Sequence, residues 1–187
     1  MCTIAPDHLP FPPVILAGDH LVLRPATDHD VDRLLSILRE PEVARRWGAF
    51  DDHEVRDQFV GTEEAFVIEA KGEVVGAIQY GEEADPMYRH AGIDVFVATA
   101  HQRRGLGTDA IRTLARHLFE ARAHHRLLID PAADNLGAIA AYERVGFRRV
   151  GIMRRYERGP DGTWHDGLLM DLLEDELVGR PADERSA

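Results

Sequence analysis

His101-Gln102-Arg103-Arg104-Gly105-Leu106-Gly107-Thr108 is the stretch whose reading decides the fold. It follows an apolar run, Ala91-Gly92-Ile93-Asp94-Val95-Phe96-Val97, that reads as a strand. It precedes Ile111, Leu114, Ala115 and Leu118, whose i, i+3, i+4, i+7 spacing predicts a helix to about Ala123. Its two glycines allow backbone conformations closed to residues with a Cβ, and let the chain come close to a ligand. Free N–H groups and the dipole at a helix start favour an anion. Arg103 and Arg104 add positive charge in a chain of formal net charge -11. The stretch therefore predicts a cradle for a diphosphate.

Gly105 to Ala110 formally satisfies G-x-G-x-x-A, the dinucleotide fingerprint, and Asp130 lies near the distance of a ribose-binding acid. The surroundings disagree. Too little chain follows Asp130 for a doubly wound domain, and the polar stretch Thr99–Arg104 separates strand from glycines. An antiparallel hairpin also precedes the loop. A dinucleotide fold is excluded.

Composition sets the outer bounds. The 187 residues suit one domain with a full core, and 44% apolar with 29% charged residues is ordinary for a soluble globular protein. No run approaches the ~20 apolar residues of a membrane span, and Met1–Asp7 shows no secretion signal. No membrane partner is expected. Cys2 is the only cysteine, which excludes an internal disulfide and fits a cytoplasmic location. The acidic balance argues against nucleic acid and suits a cationic partner, although solubility alone would also explain it. The His124-His125 pair has no metal-ligand companions at suitable spacing, so no metal is expected and the pair reads as a surface connection.

Working outward, residues 1–13 (Pro6, Pro10, Pro12, Pro13) read as a loose arm, 14–175 as the domain and 176–187 as a polar tail. Leu21–Pro25 is a short strand, and Thr27 or Asp28 caps a helix carrying Val31, Leu34, Leu35 and Leu38. Glu40-Pro41 ends or kinks it. Acidic residues dominate 42–64, with a short helix from Val55 to Val60. Residues 65–70 and 73–80 form a hairpin around Lys71-Gly72, and an acidic loop (Glu82, Glu83, Asp85) leads on to the strand at 91–97. After the cradle helix come a strand at 126–130, a helix capped by Asn135 and ending at Gly146, and a final hairpin turning at Gly159–Gly162. The expectation is a mixed α/β (α+β) domain with antiparallel hairpins at both ends.

Gln102-Arg103-Arg104-Gly105-Leu106-Gly107 resembles the Q/R-x-x-G-x-G/A signature of the GNAT superfamily of N-acetyltransferases. Asn135 to Phe147, containing Tyr142-Glu143-Arg144-Val145-Gly146-Phe147, resembles that family's second motif. The resemblance covers about residues 20–175. It implies a mostly antiparallel sheet splayed at its middle strands, flanked by helices, with acetyl-CoA as the acetyl donor. By resemblance, the residues holding the cofactor are Gln102, Arg103, Arg104, Gly105, Leu106, Gly107 and Thr108. Val97 would polarise the thioester oxygen through its main-chain N–H, and Tyr142 would protonate the departing sulfur. Asn135, Ala138 and Tyr142 fall at i, i+3, i+7 on one helix face, which suits the wall of a cofactor channel. The plain alternative for Tyr142 is a structural hydrogen bond.

Within the family the chain is most similar to aminoglycoside 6'-N-acetyltransferases. Gly92-Ile93-Asp94, Asp130-Pro131-Ala132-Ala133-Asp134-Asn135 and Arg46-Trp47-Gly48 carry that likeness. It implies that Asp94, Asp130 and Trp47 face a polycationic substrate, with Asp85 as a further counterpart. Asp94 sits in mid-strand, where a carboxylate is unfavourable, so it either serves the substrate or lies on a solvated face. Trp47 either stacks on a sugar or cation, or plugs the space between helices. Trp164 reads as structural. Leu21–Pro25 and the last hairpin also resemble acetyltransferases acting on protein N-termini or ribosomal proteins. A non-catalytic acetyl-CoA sensor is a third reading, and monomer versus homodimer stays open.

Overall fold

The apolar runs pair into one eight-stranded sheet in a computed structural model that describes residues 13–179. The strands are β1 (Leu16–Ala17), β2 (Val22–Pro25), β3 (Ala65–Ala70), β4 (Glu73–Glu83), β5 (His90–Val97), β6 (Arg126–Ile129), β7 (Arg148–Arg158) and β8 (Trp164–Leu173). They lie in the order β1-β2-β3-β4-β5-β6-β8-β7, and only β5 and β6 run parallel. Helices α1 (Val31–Leu38), α2 (Pro41–Trp47) and α3 (Asp52–Phe59) cover one face; α4 (Leu106–Glu120) and α5 (Leu136–Val145) cover the other.

Strand alternation sorts the side chains between these layers. Val67, Ala77 and Phe96 meet Leu34, Leu38, Val55 and Phe59 on the first face. Ile68, Ile78, Ile93 and Leu127 meet Ile111, Leu114, Leu118 and Val145 on the second. Asp94 shares the face of Phe96, as the alternation in the sequence requires. The β5–β6 ladder holds only at Ala91–Leu127 and Gly92–Leu128. Beyond that, β5 stays with β4 up to Val97 and β6 stays with β8 up to Ile129, so the sheet splits between them.

Several elements differ from expectation. The acidic segment holds two helices, α2 and α3, and not one. Pro41 opens α2, where its missing N–H costs nothing, and Asp51 with Glu54 forms a capping box that opens α3. Glu42, Asp51, Asp52 and Glu54 sit at these helix starts. Glu82 and Glu83 belong to β4 and pair with Ala91 and His90, so the loop is shorter than expected. His124 is buried and bonds Glu82 at 2.8 Å, which corrects its reading as a surface residue. Trp164, expected to be structural, is 59% exposed. Buried Asp109 accepts hydrogen bonds from the Asp19 and His20 amides, tying the β1–β2 turn to α4. Residues of the expected arm before Pro13 lie outside the described residues, as does Cys2. No helix among the described residues is long and apolar enough to cross a membrane.

The expected polar tail begins, over 176–179, as a segment docked on the domain; 180–187 lie outside the described residues. Leu177 is buried, and the Val178 amide donates to the Val145 carbonyl at 2.9 Å. That docking depends on Gly146, which ends α5 at φ 119°. A Cβ at Gly146 would lie 2.2 Å from the Glu176 carbonyl oxygen. Gly146→Ala should therefore cost roughly 3 kcal/mol, combining backbone strain with a clash that no side-chain movement relieves. A denaturant midpoint equal to that of the parent would show that the docked segment simply moves away.

Candidate active site

The glycine loop ends in two left-handed residues, Arg103 (φ 57°) and Gly105 (φ 84°). For arginine this conformation costs about 1 kcal/mol, and strain of this kind gathers at functional sites. Gly105 caps α4 without a side-chain hydrogen bond, and the first i−4 bond of the helix runs from the Asp109 amide to the Gly105 carbonyl. The amides of Leu106, Gly107 and Thr108 thus have no acceptor of that kind within the helix. A Cβ on Gly105 would meet nothing within 4 Å, and one on Gly107 only Val97 Cγ2 at 3.8 Å, so the loop front is open. Arg103 and Arg104 are exposed, and neither makes an ion pair among the described residues. These features fit a diphosphate.

The same loop fixes the end of β5. The Gln102 side-chain amide donates to the Val97 carbonyl at 2.9 Å. The Ala98 amide bonds the Val75 carbonyl at 2.8 Å, which continues the β4–β5 ladder one residue past the Gly76–Val97 pair. Antiparallel ladders alternate bonded and non-bonded pairs, so the Val97 N–H points away from β4 and into the split. Val97 therefore offers a donor where β6 has departed.

Beneath the split lies a cavity of about 350 Å³ lined by residues of both helical layers. Asp94 and Asp130 reach it from β5 and from the end of β6, and Glu157 enters from β7. None of the three carboxylates makes an ion pair among the described residues. Arg46, the one cation lining the cavity among the described residues, is held 2.6 Å from Asp134, whose carboxyl it keeps below the usual range. Crowding by protein within the cleft raises the Asp94 pKa, and the nearby Asp130 charge raises it further, while a hydrogen bond with Gln79 opposes both. Burial, then Asp94 and Asp130, hold the Tyr142 hydroxyl protonated far above its ordinary range. Tyr156 hydrogen-bonds Asp130 and is pushed up to about 12, chiefly by that bond.

With cradle, split and cavity in place, the chain can be set beside known proteins. The sequence profile of the Acetyltransferase (GNAT) family matches residues 31–147. The chain belongs to the GNAT acetyltransferase family. It is 30% identical over 168 residues to an aminoglycoside N(6')-acetyltransferase type 1 of Klebsiella pneumoniae, covering 78% of this chain and 81% of that one. Mycobacterium smegmatis RimJ in complex with CoA-disulfide matches with a TM-score of 0.71 at 28% identity, covering 90% of this chain and 88% of that one. A ribosomal-protein-S5-alanine acetyltransferase from Vibrio fischeri shares the fold, with a TM-score of 0.74 at 16% identity over 90% of this chain and 100% of that one. The protein is an N-acetyltransferase, and GNAT acetyltransferases use acetyl-CoA.

Of the residues expected from sequence, Trp47, Asp94, Asp130, Asn135 and Tyr142 line the cavity, while Gln102–Thr108 lie past the end of β5. Trp47 lines the cavity and also packs its ring edge-on against Phe96 at 4.9 Å, so both of its readings meet in one residue. Asn135 lines the cavity while its side-chain oxygen caps α5 through the Ala138 amide. Ala138 is half-buried against the core. Asp85 does not line the cavity: its carboxylate accepts from the Met87 amide in the β4–β5 turn. Gln58, Gln79, Tyr156 and Glu157 line the cavity and were not anticipated. Gln79 carries the same signal as Asp94, a polar residue within an apolar strand. Tyr156 and Glu157 carry none, because an irregularity between Met153 and Glu157 sets the register of β7 against β8 there, and Gln58 is one polar residue among many on α3.

Proposed function

We propose that the protein transfers an acetyl group from acetyl-CoA to a primary amine of a cationic small molecule, most specifically the 6'-amine of an aminoglycoside. One observation carries this reading. Asp94, Asp130 and Glu157 line one cavity without an ion-pair partner among the described residues, while Arg46 is already paired with Asp134. Unpaired carboxylates in a confined cleft attract a polycation and raise its encounter rate. Trp47 on the rim suits a sugar ring or an ammonium.

Acetyl-CoA supplies the acetyl group as a thioester. In this reading the amides of Leu106, Gly107 and Thr108, with Gln102, Arg103, Arg104 and Gly105, hold its diphosphate at the α4 start. Asn135, Ala138 and Tyr142 line the channel for its arm. The Val97 N–H faces the carbonyl oxygen and stabilises charge as it develops there. Asp94 holds the ammonium and receives its proton, directly or through water. The Tyr142 hydroxyl donates a proton to the departing sulfur.

Thermal melting with acetyl-CoA and kanamycin, together with thiol release on mixing, tests this. Each ligand at one hundred times its Kd should stabilise by about 2.7 kcal/mol, or roughly 5–10 °C in a chain of this size. A shift with acetyl-CoA but with no aminoglycoside, and turnover of a peptide bearing a free N-terminal alanine, would give the protein-N-terminal reading instead. Binding of acetyl-CoA without thiol release to any amine would leave a sensor.

A further inference from the structure

Two amides that the chemistry above does not use, Gln79 and Gln58, line the cavity with Asp94. Gln79 on β4 is its cross-strand partner, so the two side chains project side by side from one face of the sheet into the cavity. Gln58 on α3 in turn donates its amide nitrogen to Gln79 Oε1 at 3.1 Å. A carboxylate only accepts hydrogen bonds, so an amide facing it presents its NH2 group. The Gln79 oxygen is then turned away, where the Gln58 donor meets it. Both glutamines are half-buried and line the cavity.

On the reading of Asp94 as the acid that meets the amine, we propose that Gln79 is a positioning residue, aimed by Gln58, that orients the Asp94 carboxylate toward the incoming ammonium. No ion pair does this in its place, since Asp94 has none among the described residues. The charged and titratable groups facing Asp94 are Asp130 at the end of β6, Glu157 and Tyr156 on β7, and Tyr142 on α5. Arg46 on α2 lines the same cavity but is bonded to Asp134. Helix α3 and strand β4 contribute only the two amides to the cavity wall. Through Gln79, Gln58 lets α3 act on a carboxylate carried by β5.

A donor hydrogen bond favours the charged form of a carboxylate, so its loss moves the titration of Asp94 upward. Carbon-detected carboxyl NMR on the full chain reads this without substrate, and the acid limb of kcat/KM reads it during turnover. Gln79→Met should raise the Asp94 midpoint by about one pH unit, the scale of a charge-assisted hydrogen bond. Gln58→Met should raise it less, in the same direction. The double variant should move it no further than Gln79→Met alone, because Gln58 acts only through Gln79. An unmoved midpoint in Gln58→Met overturns the relay, as does a double variant whose shift is the full sum of the two. If Gln79→Met does not fold, Gln58→Met alone decides between these outcomes. Failure of the underlying reading looks different: turnover would survive Asp94→Asn, whatever the glutamine variants do to the midpoint.

Discussion

Asp94→Asn is expected to lower kcat/KM for the amine by roughly 100-fold or more, the scale of a lost acid–base partner, with acetyl-CoA affinity unchanged. The separation follows from the layout. Asp94 projects on the Phe96 face of the sheet, toward α1–α3, while the cradle residues sit past the end of β5. Asparagine keeps the volume and can still bond Gln79, but it neither balances an ammonium nor takes its proton. The melting temperature should move the other way. The folded-state pKa of Asp94 is raised by crowding and by Asp130, so the fold favours the protonated acid. Its contribution to stability is therefore greatest at low pH and is lost as pH rises through its ordinary value to the raised one. A neutral amide at this position suffers no such loss, so the variant should melt no lower than the parent at neutral pH. Thiol release, calorimetric titration of acetyl-CoA and melting curves measured across pH check the three statements together. Turnover within a few-fold of the parent would reduce Asp94 to an acid on a wet sheet face.

The part of this layout legible in the sequence was the part written in short-range patterns. The strand–loop–helix unit at 91–120 shows in its period and its glycines, and α5 shows in its Asn135 cap and its Gly146 stop. The alternation of Ile93, Asp94 and Phe96 placed the acid on the correct face before any partner was known. Distance in the chain hid the rest. His124 looks like a surface residue until Glu82, forty-two positions earlier, is paired with it across the sheet. Asp134 reads only as part of the Asp130–Asn135 junction, yet its partner is Arg46 on a helix that the acidic composition of 42–64 obscured. Tyr156 and Glu157 depend on a bulge, and a one-residue shift in register exchanges the faces of a strand. Asp85 shows the opposite case: likeness to a family pattern points to it, whereas the short β4–β5 turn keeps its carboxylate on the Met87 amide, away from the cavity wall.

Tyr142→Phe isolates the last proton transfer. The ring is buried on α5, tilted against Phe147 at a centroid distance of 6.3 Å, and phenylalanine preserves that packing. Alanine would open a cavity costing roughly 3–5 kcal/mol and would confuse lost chemistry with lost structure. What phenylalanine removes is one hydroxyl at the cavity wall. Burial and the nearby carboxylates Asp94 and Asp130 keep that hydroxyl protonated beyond the usual tyrosine value of 10.0. A proton held so firmly is poorly suited to general-base work, but it remains available to an anion forming within hydrogen-bond reach. A thiolate leaving from the split is such an anion. The variant should therefore lose roughly 100-fold in kcat, with little change in KM for the amine, because the hydroxyl matters when the sulfur departs and not when substrate arrives. The parent should show no alkaline limb from Tyr142 near pH 10.0, since the group does not titrate there. Steady-state kinetics from neutral to alkaline pH reads both effects. A variant with full kcat would make the tyrosine a packing residue and leave the sulfur to be protonated by solvent.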